Sequence, residues 1–369
     1  MDKRQQIIEE ALNAVTQRKR STAALSMGVG KTFLGLRFIS YHQALVLHQL
    51  RVLVVAPKLT IFKTWEEEAV KFNMAELLTD MTFTTYLSLH KLDPSHYDIV
   101  IMDECHSLKY SHQPFLANFK GITLGLTGTP PRYGRSEKGQ MVQQFCPVAY
   151  TYITDDAVED KILNDYRIYV HLVQLSSSMN LKVNLKAQQF TTSEQKNYDY
   201  WTKRLHEAPS KKMEQIASVM RMRAMMDYTS KEHYAAHLMG TIEEKCLLFC
   251  NTQDQADKLC EHSYHSNNEF SDLHLDAFKK GRILQLSCVS QLNEGVTIPG
   301  LRAGVIMHAY GNERKSAQRI GRLLRLNPDD VATVHILCYQ DTVDERWVKE
   351  ALKDLDQEKI KYLQVTKTA

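Results

Sequence analysis

The chain has 369 residues, 43% of them hydrophobic and 24% charged, a globular balance with enough apolar material for two domain cores rather than one. Its net charge of +3 permits a nucleic-acid partner without arguing for one, and its longest apolar run, ALVLHQLRVLVVAP, is broken by His48, Gln49 and Arg51, which excludes a membrane span there. Seven cysteines without framework spacing exclude a disulfide scaffold and point to reduced thiols in a cytoplasmic compartment.

Along the chain, MDKRQQIIEEAL reads as a charged helix without the apolar stretch and cleavage site of a secretion signal. TAALS reads as a strand that runs into SMGVGKT, residues 26–32, after which a helical pattern begins. Strand, glycine-rich turn and helix start are the setting in which backbone N–H groups gather on phosphate. Met27, Gly28, Val29 and Gly30 form the cradle, Lys31 reaches the β and γ oxygens, and the Thr32 hydroxyl can ligate Mg²⁺. Leu25 stands where the general G-x-x-x-x-G-K-T pattern has its first glycine.

VLVVAP and FTTYLSL follow, then YDIVIMDECHSL, a buried strand ending in Asp103 and Glu104. The first carboxylate is placed to hold Mg²⁺ through water and the second to polarise an attacking water. ITLGLTGTP is the next strand, and the pattern lapses in ITDDAVEDKILNDY, so the domains should divide near residues 155–166, giving 1–160 and 161–369.

IYVHLVQL opens the second half. Residues 176–245 contain no convincing strand and read as helices, with Ile216, Val219, Met220, Met222 and Met226 as an apolar face packed on the second sheet. NYDYWTKRLHEAPSKK interleaves Tyr198, Tyr200 and Trp201 with Lys203, Arg204, Lys211 and Lys212. Such interleaving either stacks bases and grips phosphates or packs the rings inward beneath a solvated basic face, and the second is the commoner arrangement.

CLLFCNT, ILQLSC, AGVIMHAY and TVHILCY supply further strands. Cys260, His262 and His265 lack paired C-x-x-C spacing, and Cys246 and Cys250 sit too far apart on a strand to share one ion, so no metal other than Mg²⁺ is expected. AQRIGRLLRL, residues 317–326, spaces Arg319, Arg322 and Arg325 three apart, a guanidinium stripe on one helix face. It is either a solvated basic face or a site for a highly charged anion. Gly321 favours the second, since glycine inside a helix costs about 1 kcal/mol unless something must approach closely. TVDERWVKEALKDL ends the pattern, with Thr342 and Glu345 at capping-box spacing. Strands alternating with helices predict an α/β fold with two parallel sheets, whose polar strand ends are where ligands bind.

DECH at 103–106, together with SMGVGKT, LTGTP, QLNEGVTIPG and QRIGRLLR in that order, resembles the superfamily 2 DExH-box helicases over residues 5 to about 340. The resemblance implies two tandem RecA-like, doubly wound domains with ATP in the cleft between them. It implies that Gln5, or its neighbour Gln6, reads adenine, that His106, Thr127, Gly128, Thr129 and Gln318 couple hydrolysis to movement, and that Arg322 and Arg325 of Q-x-x-G-R-x-x-R stabilise the transferring γ-phosphate. Arg319 is then structural or directed at the carboxylates.

Pro57, Lys58, Thr60 and Thr85 match family segments that touch one nucleic-acid strand, and Asn251, Thr252, Glu294, Gly295 and Thr297 match the other half of that track. DECHSLK and TGTP are similar to Swi/Snf-type ATPases, and LNEGVTIPGL to phage branch-migration and restriction-type motors, so DNA is expected over RNA. The expected protein is a monomeric, ATP- and Mg²⁺-dependent DNA helicase or translocase with replication, recombination or restriction partners, in a nucleoid-associated or viral host-cytoplasmic setting. An RNA helicase, or a duplex translocase without strand separation, is the alternative.

Overall fold

The computed structural model describes residues 2–131, 134–185, 188–289, 298–309, 330–353 and 355–365, and the chain divides into two compact units on either side of the Asp165/Tyr166 junction. Gln318, Arg319, Arg322 and Arg325, and Glu294, Gly295 and Thr297, lie outside the described residues. No helix among the described residues is long and apolar enough to cross a membrane.

The first unit contains α1 (Lys3–Thr16), β1 (Arg20–Leu25), α2 (Lys31–Gln43), β2 (Val52–Ala56), α3 (Thr60–Lys71), β3 (Met81–Thr85), β4 (Ile99–Asp103), α4 (Gln113–Asn118), β5 (Ile122–Thr127), α5 (Glu137–Phe145), β6 (Val148–Tyr152) and α6 (Thr154–Glu159). Its sheet has the order β3-β2-β4-β5-β1-β6 and is parallel throughout. β2 and β4 are buried at every position, which is why VLVVA and IVIMD read as continuous apolar runs and not as alternation. α3 buries Ile61, Phe62, Trp65 and Ala69, one stripe at helical spacing.

The second unit runs from β7 (Asp165–Val173) through the hairpin β8 (Leu181–Leu185) and β9 (Gln188–Thr192) to α7 (Glu194–His206), α8 (Lys211–Met226), α9 (Thr229–Thr241), β10 (Cys246–Cys250), α10 (Gln253–Leu259), β11 (Ser263–Tyr264), α11 (Ser271–Lys279), β12 (Gln285–Val289), β13 (Ala303–Ile306), β14 (Val331–Tyr339), α12 (Val343–Leu352) and β15 (Ile360–Gln364). Its seven-stranded sheet has the order β11-β12-β10-β13-β14-β7-β15. Parallel pairing runs from β11 to β14 and joins β7 to β15.

Two expectations fail in this unit. Residues 176–245 do contain strands, since β8 and β9 pair antiparallel. And α8 does not bury Ile216 and Val219, which are 52% and 42% exposed; it buries Ala217, Arg221 and Met225 instead. The Arg221 guanidinium lies over the Tyr198 ring at 5.6 Å and donates to Thr202 Oγ1 at 3.2 Å, so a cation and its stem occupy the seam against α7. Thr342 does cap α12, accepting from Asp344 N–H, but Glu345 accepts from Asp341 N–H rather than closing a reciprocal box.

Lys231, fully buried, pairs with Asp344, donates to the Met307 carbonyl at 3.2 Å and lies 4.3 Å from the centre of the Tyr339 ring. A buried charge of this kind is tolerated because it is paired and hydrogen-bonded. On the same sheet, His171 of β7 and His335 of β14 are hydrogen-bonded at 2.9 Å, with Tyr234 at 2.7 Å from the other His171 nitrogen.

Burial lowers both imidazoles to about 4 from the ordinary 6.5. The unfolded chain takes up these protons near 6.5 and the folded chain only near 4, so stability present above pH 6.5 is lost as pH falls through that window. Melting temperature is therefore expected to fall by roughly 5 °C from this pair between pH 6.5 and 4. Thermal melts of a His171→Asn/His335→Asn variant should show a flatter profile over the same range.

Candidate active site

The phosphate loop is pinned at its start, where Ser26 N–H donates to the Tyr152 carbonyl at 2.9 Å and the Ser26 hydroxyl meets that of Thr154 at 2.8 Å. Gly28 and Gly30 then take φ values of 87° and 121°, a left-handed turn open to glycine and closed to most side chains. α2 starts immediately afterwards at Lys31, so its first N–H groups, without intrahelical partners, face the loop.

Around this loop the first unit gathers the predicted residues. Lys31 Nζ lies 3.9 Å from Glu104 Oε1, and Glu104 Oε2 lies 3.3 Å from His106 Nδ1. That imidazole nitrogen is 2.9 Å from Thr127 Oγ1 and 3.5 Å from Thr129 Oγ1, while Thr127 Oγ1 accepts from Thr129 N–H at 3.1 Å. Gly128 is small for a reason. A Cβ there would stand 3.1 Å from Lys31 Nζ and 3.2 Å from Met27 Cγ, filling the cradle. The lysine, the Glu104 carboxylate, the histidine and the two threonines of the T-G-T turn are thus a single connected cluster.

β4 ends at Asp103, which is 5% exposed, and Glu104 turns the chain out of the sheet with φ of 50°. That left-handed turn swings adjacent carboxylates in different directions, which plain strand geometry would also do only by alternating faces. Asp103 Oδ2 accepts from Trp65 Nε1–H at 3.0 Å, Oδ1 accepts from Glu104 N–H at 2.9 Å, and the Asp103 carbonyl accepts from the Tyr86 hydroxyl at 3.0 Å. Burial pushes the Tyr86 phenol well above its ordinary value of 10, which keeps it a donor.

Nothing in the spacing of the sequence marks Trp65 or Tyr86 as partners of Asp103. Trp65 reads as one more apolar position of α3 and Tyr86 as a residue beside Thr85. The residues present fit a nucleotide and its Mg²⁺: backbone N–H groups at a helix start beside an ammonium, and a carboxylate oriented by Trp65 Nε1–H and Glu104 N–H.

Gln5 and Gln6 are both exposed on α1. Gln6 donates to Glu10 at 2.9 Å, whereas Gln5 makes no side-chain hydrogen bond among the described residues. Gln5 lies one turn before Ile8, whose Cδ1 would be 3.5 Å from a Cβ on Gly30. The helix that carries it therefore packs on the phosphate loop.

The two track segments of the first unit meet at one sheet edge. Pro57, Lys58 and Thr60 follow β2, Thr85 ends β3, and Thr85 pairs with Ala56 across the two strands. Lys58 and Thr60 are exposed, as are Leu59 and Leu87, at 71% and 82%. In the second unit Thr252 caps α10 by accepting from Gln255 N–H, and the buried amide atoms of Asn251 have no partner among the described residues.

The aromatic and basic stretch is divided: Tyr198 is buried and its hydroxyl accepts from Val343 N–H, while Tyr200 is 47% exposed and packs edge-on against Trp201. All seven cysteines are free and buried.

Comparison with known proteins adds to this geometry. Residues 1–132 match the family described as type III restriction enzyme, res subunit, and residues 230–327 match the helicase conserved C-terminal domain. The second match includes the glutamine and arginines of AQRIGRLLRL. The chain is 22% identical over 383 residues to the DNA 3'-5' translocase XPB2 of Sulfurisphaera tokodaii, covering 91% of this chain and 82% of the other.

Among solved structures it is similar to the ATP-dependent type ISP restriction-modification enzyme LlaBIII bound to DNA, with a TM-score of 0.64 and 14% identity over 99% of this chain; it spans 31% of that enzyme's length. A fragment of the HsdR subunit of a type I restriction enzyme from Vibrio vulnificus YJ016 matches with a TM-score of 0.61 and 18% identity over 98% of this chain and 67% of the other. Identities this low carry the fold.

Proposed function

Because this chain belongs to the superfamily 2 helicases and is an ATPase of that superfamily, we propose that it moves along DNA at the expense of ATP, stimulated by the DNA it tracks. The observation that carries this reading is the connected cluster of Lys31, Glu104, His106, Thr127 and Thr129 beside the phosphate loop. DNA is favoured over RNA because the relatives whose names specify a nucleic acid specify DNA.

In this reading Met27, Gly28, Val29 and Gly30 hold the β and γ phosphates by backbone N–H groups, Lys31 neutralises their oxygens, and Gln5 reads the adenine. Thr32 and Asp103 would hold Mg²⁺, which would offset the charge that develops on the phosphate oxygens. Glu104 takes the proton of the attacking water. His106 joins Glu104 to Thr127 and Thr129, so that a change at the carboxylate reaches the turn after β5. Arg322 and Arg325 add positive charge at the γ-phosphate as it is transferred. Pro57, Lys58, Thr60 and Thr85, with Asn251, Thr252, Glu294, Gly295 and Thr297, contact the DNA backbone through hydroxyls, amides and N–H groups, which is how a protein of modest net charge tracks phosphates.

Steady-state ATPase rates with single-stranded, duplex and forked DNA and with RNA test the reading. Stimulation by DNA above RNA is expected, and a rate that no nucleic acid raises would sink it. The match to a restriction-enzyme motor family favours a second version, duplex translocation without strand separation. Displacement of a triplex third strand with no opening of a fork would establish that version.

A further inference from the structure

Asp103 is held by two aromatic side chains, each following in the chain one of the segments read above as the first unit's DNA track. Trp65 lies five residues after Thr60 in α3, is fully buried, and donates its indole N–H to the Asp103 carboxylate at 3.0 Å. Tyr86 directly follows Thr85 and donates its hydroxyl to the Asp103 carbonyl at 3.0 Å.

They approach from opposite faces of the sheet. Val100 and Met102 pack in the apolar cluster that contains Tyr86, so by alternation along β4 the Asp103 side chain points to the other face, where Trp65 lies. The indole has little slack. A Cβ on Gly35 would stand 2.3 Å from Trp65 Cη2, so the indole is wedged against α2, the helix that begins at Lys31. Any displacement at the start of α3 or the end of β3 must therefore be felt at Asp103 or relieved by breaking one of these bonds, because packed interiors deform little.

We propose that Trp65 and Tyr86 are positioning residues that transmit occupation of the track at Pro57–Thr60 and Thr85 to the Asp103 carboxylate, and so make Mg²⁺ retention with the nucleotide depend on bound DNA. The inference rests on the reading of those segments as a DNA track. Indirect partners of a metal-binding group typically govern affinity by about 10- to 100-fold, and a linkage of this kind is reciprocal between the two ligands.

The test is an equilibrium one. Mg²⁺ is titrated into the full chain with a fluorescent, non-hydrolysable ATP analogue, with and without saturating duplex DNA, and half-saturating Mg²⁺ is read by polarisation for wild type, Trp65→Phe, Tyr86→Phe and the double variant. In wild type, DNA should lower half-saturating Mg²⁺ by roughly tenfold or more. Each single variant should shrink that DNA-dependent shift, and the double variant should abolish it, so that its half-saturating Mg²⁺ is the same with and without DNA.

Tyr86→Phe removes one oxygen and preserves the packing, so it remains informative even if Trp65→Phe, which leaves part of an indole-sized gap, unfolds. Variants that keep the full wild-type shift, or that weaken Mg²⁺ equally with and without DNA, would overturn the coupling. So would a wild type that binds labelled DNA without any change in half-saturating Mg²⁺. A wild type that binds no labelled DNA would remove the track reading itself, and the coupling with it.

Discussion

Replacing Glu104 by Gln should lower single-turnover ATP hydrolysis by about 10²- to 10⁴-fold, the usual worth of a positioned general base, while the affinity for a fluorescent ATP analogue stays within a few-fold of wild type. The substitution retains the side chain's length and one acceptor oxygen and removes only the basic carboxylate. Its neighbours explain why binding should survive: the Glu104 carboxylate lies 3.9 Å from Lys31 and 3.3 Å from His106, and the substitution leaves the backbone N–H groups of residues 27–30, the proposed phosphate cradle, unaltered. The left-handed backbone at this position, φ 50°, is available to glutamine about as well as to glutamate. Rapid-quench measurement at saturating enzyme separates the two quantities. A rate within tenfold of wild type would remove Glu104 from the role of base.

Arg325→Ala is expected to reduce turnover by about 10³- to 10⁵-fold, and Arg322→Ala comparably, since a guanidinium that meets the transferring phosphate is worth that much in phosphoryl-transfer enzymes. Lysine at either position should recover little, because the planar, forked guanidinium matches phosphate oxygens in a way an ammonium does not. Arg319→Ala should cost far less, about tenfold or below, if that arginine is structural. Nucleotide binding should be nearly unchanged in all three, which distinguishes a transition-state role from simple loss of affinity. Equal, modest effects from the three alanines would instead mark the stripe as a solvated face.

The local setting of the candidate site was legible in the sequence where a glycine turn or a buried strand fixes the backbone. SMGVGKT follows a strand and opens a helix, and YDIVIMDE ends its strand at Asp103, because glycine turns and continuous apolar runs leave the backbone few alternatives. What could not be read is the side-chain contact made across the sheet: an indole at helical spacing looks the same whether it fills a core or donates to a carboxylate, as Trp65 does.

The register of α8 was misjudged for a related reason. Counting apolar residues selects Ile216 and Val219, whereas the buried positions of α8 are Ala217, Met225 and Arg221, whose guanidinium donates to Thr202 and lies over the Tyr198 ring. The β8–β9 hairpin escaped notice because LKVNL and QQFTT are short and half polar, and two paired strands with no wide sheet behind them show little burial pattern.

The strand order of the second sheet has a consequence for the nascent chain. β7 is made early, yet its partners on either side, β14 and β15, begin only at residues 331 and 360. At roughly 5–20 residues per second, a ribosome leaves β7 without both neighbours for about ten to forty seconds, with the side chains of Tyr166, Ile168 and Val170, all inaccessible in the finished fold, uncovered meanwhile. The first sheet has already emerged in full by then. Chaperone demand during translation should therefore concentrate on the C-terminal half, and truncations that stop short of residue 360 should aggregate through β7.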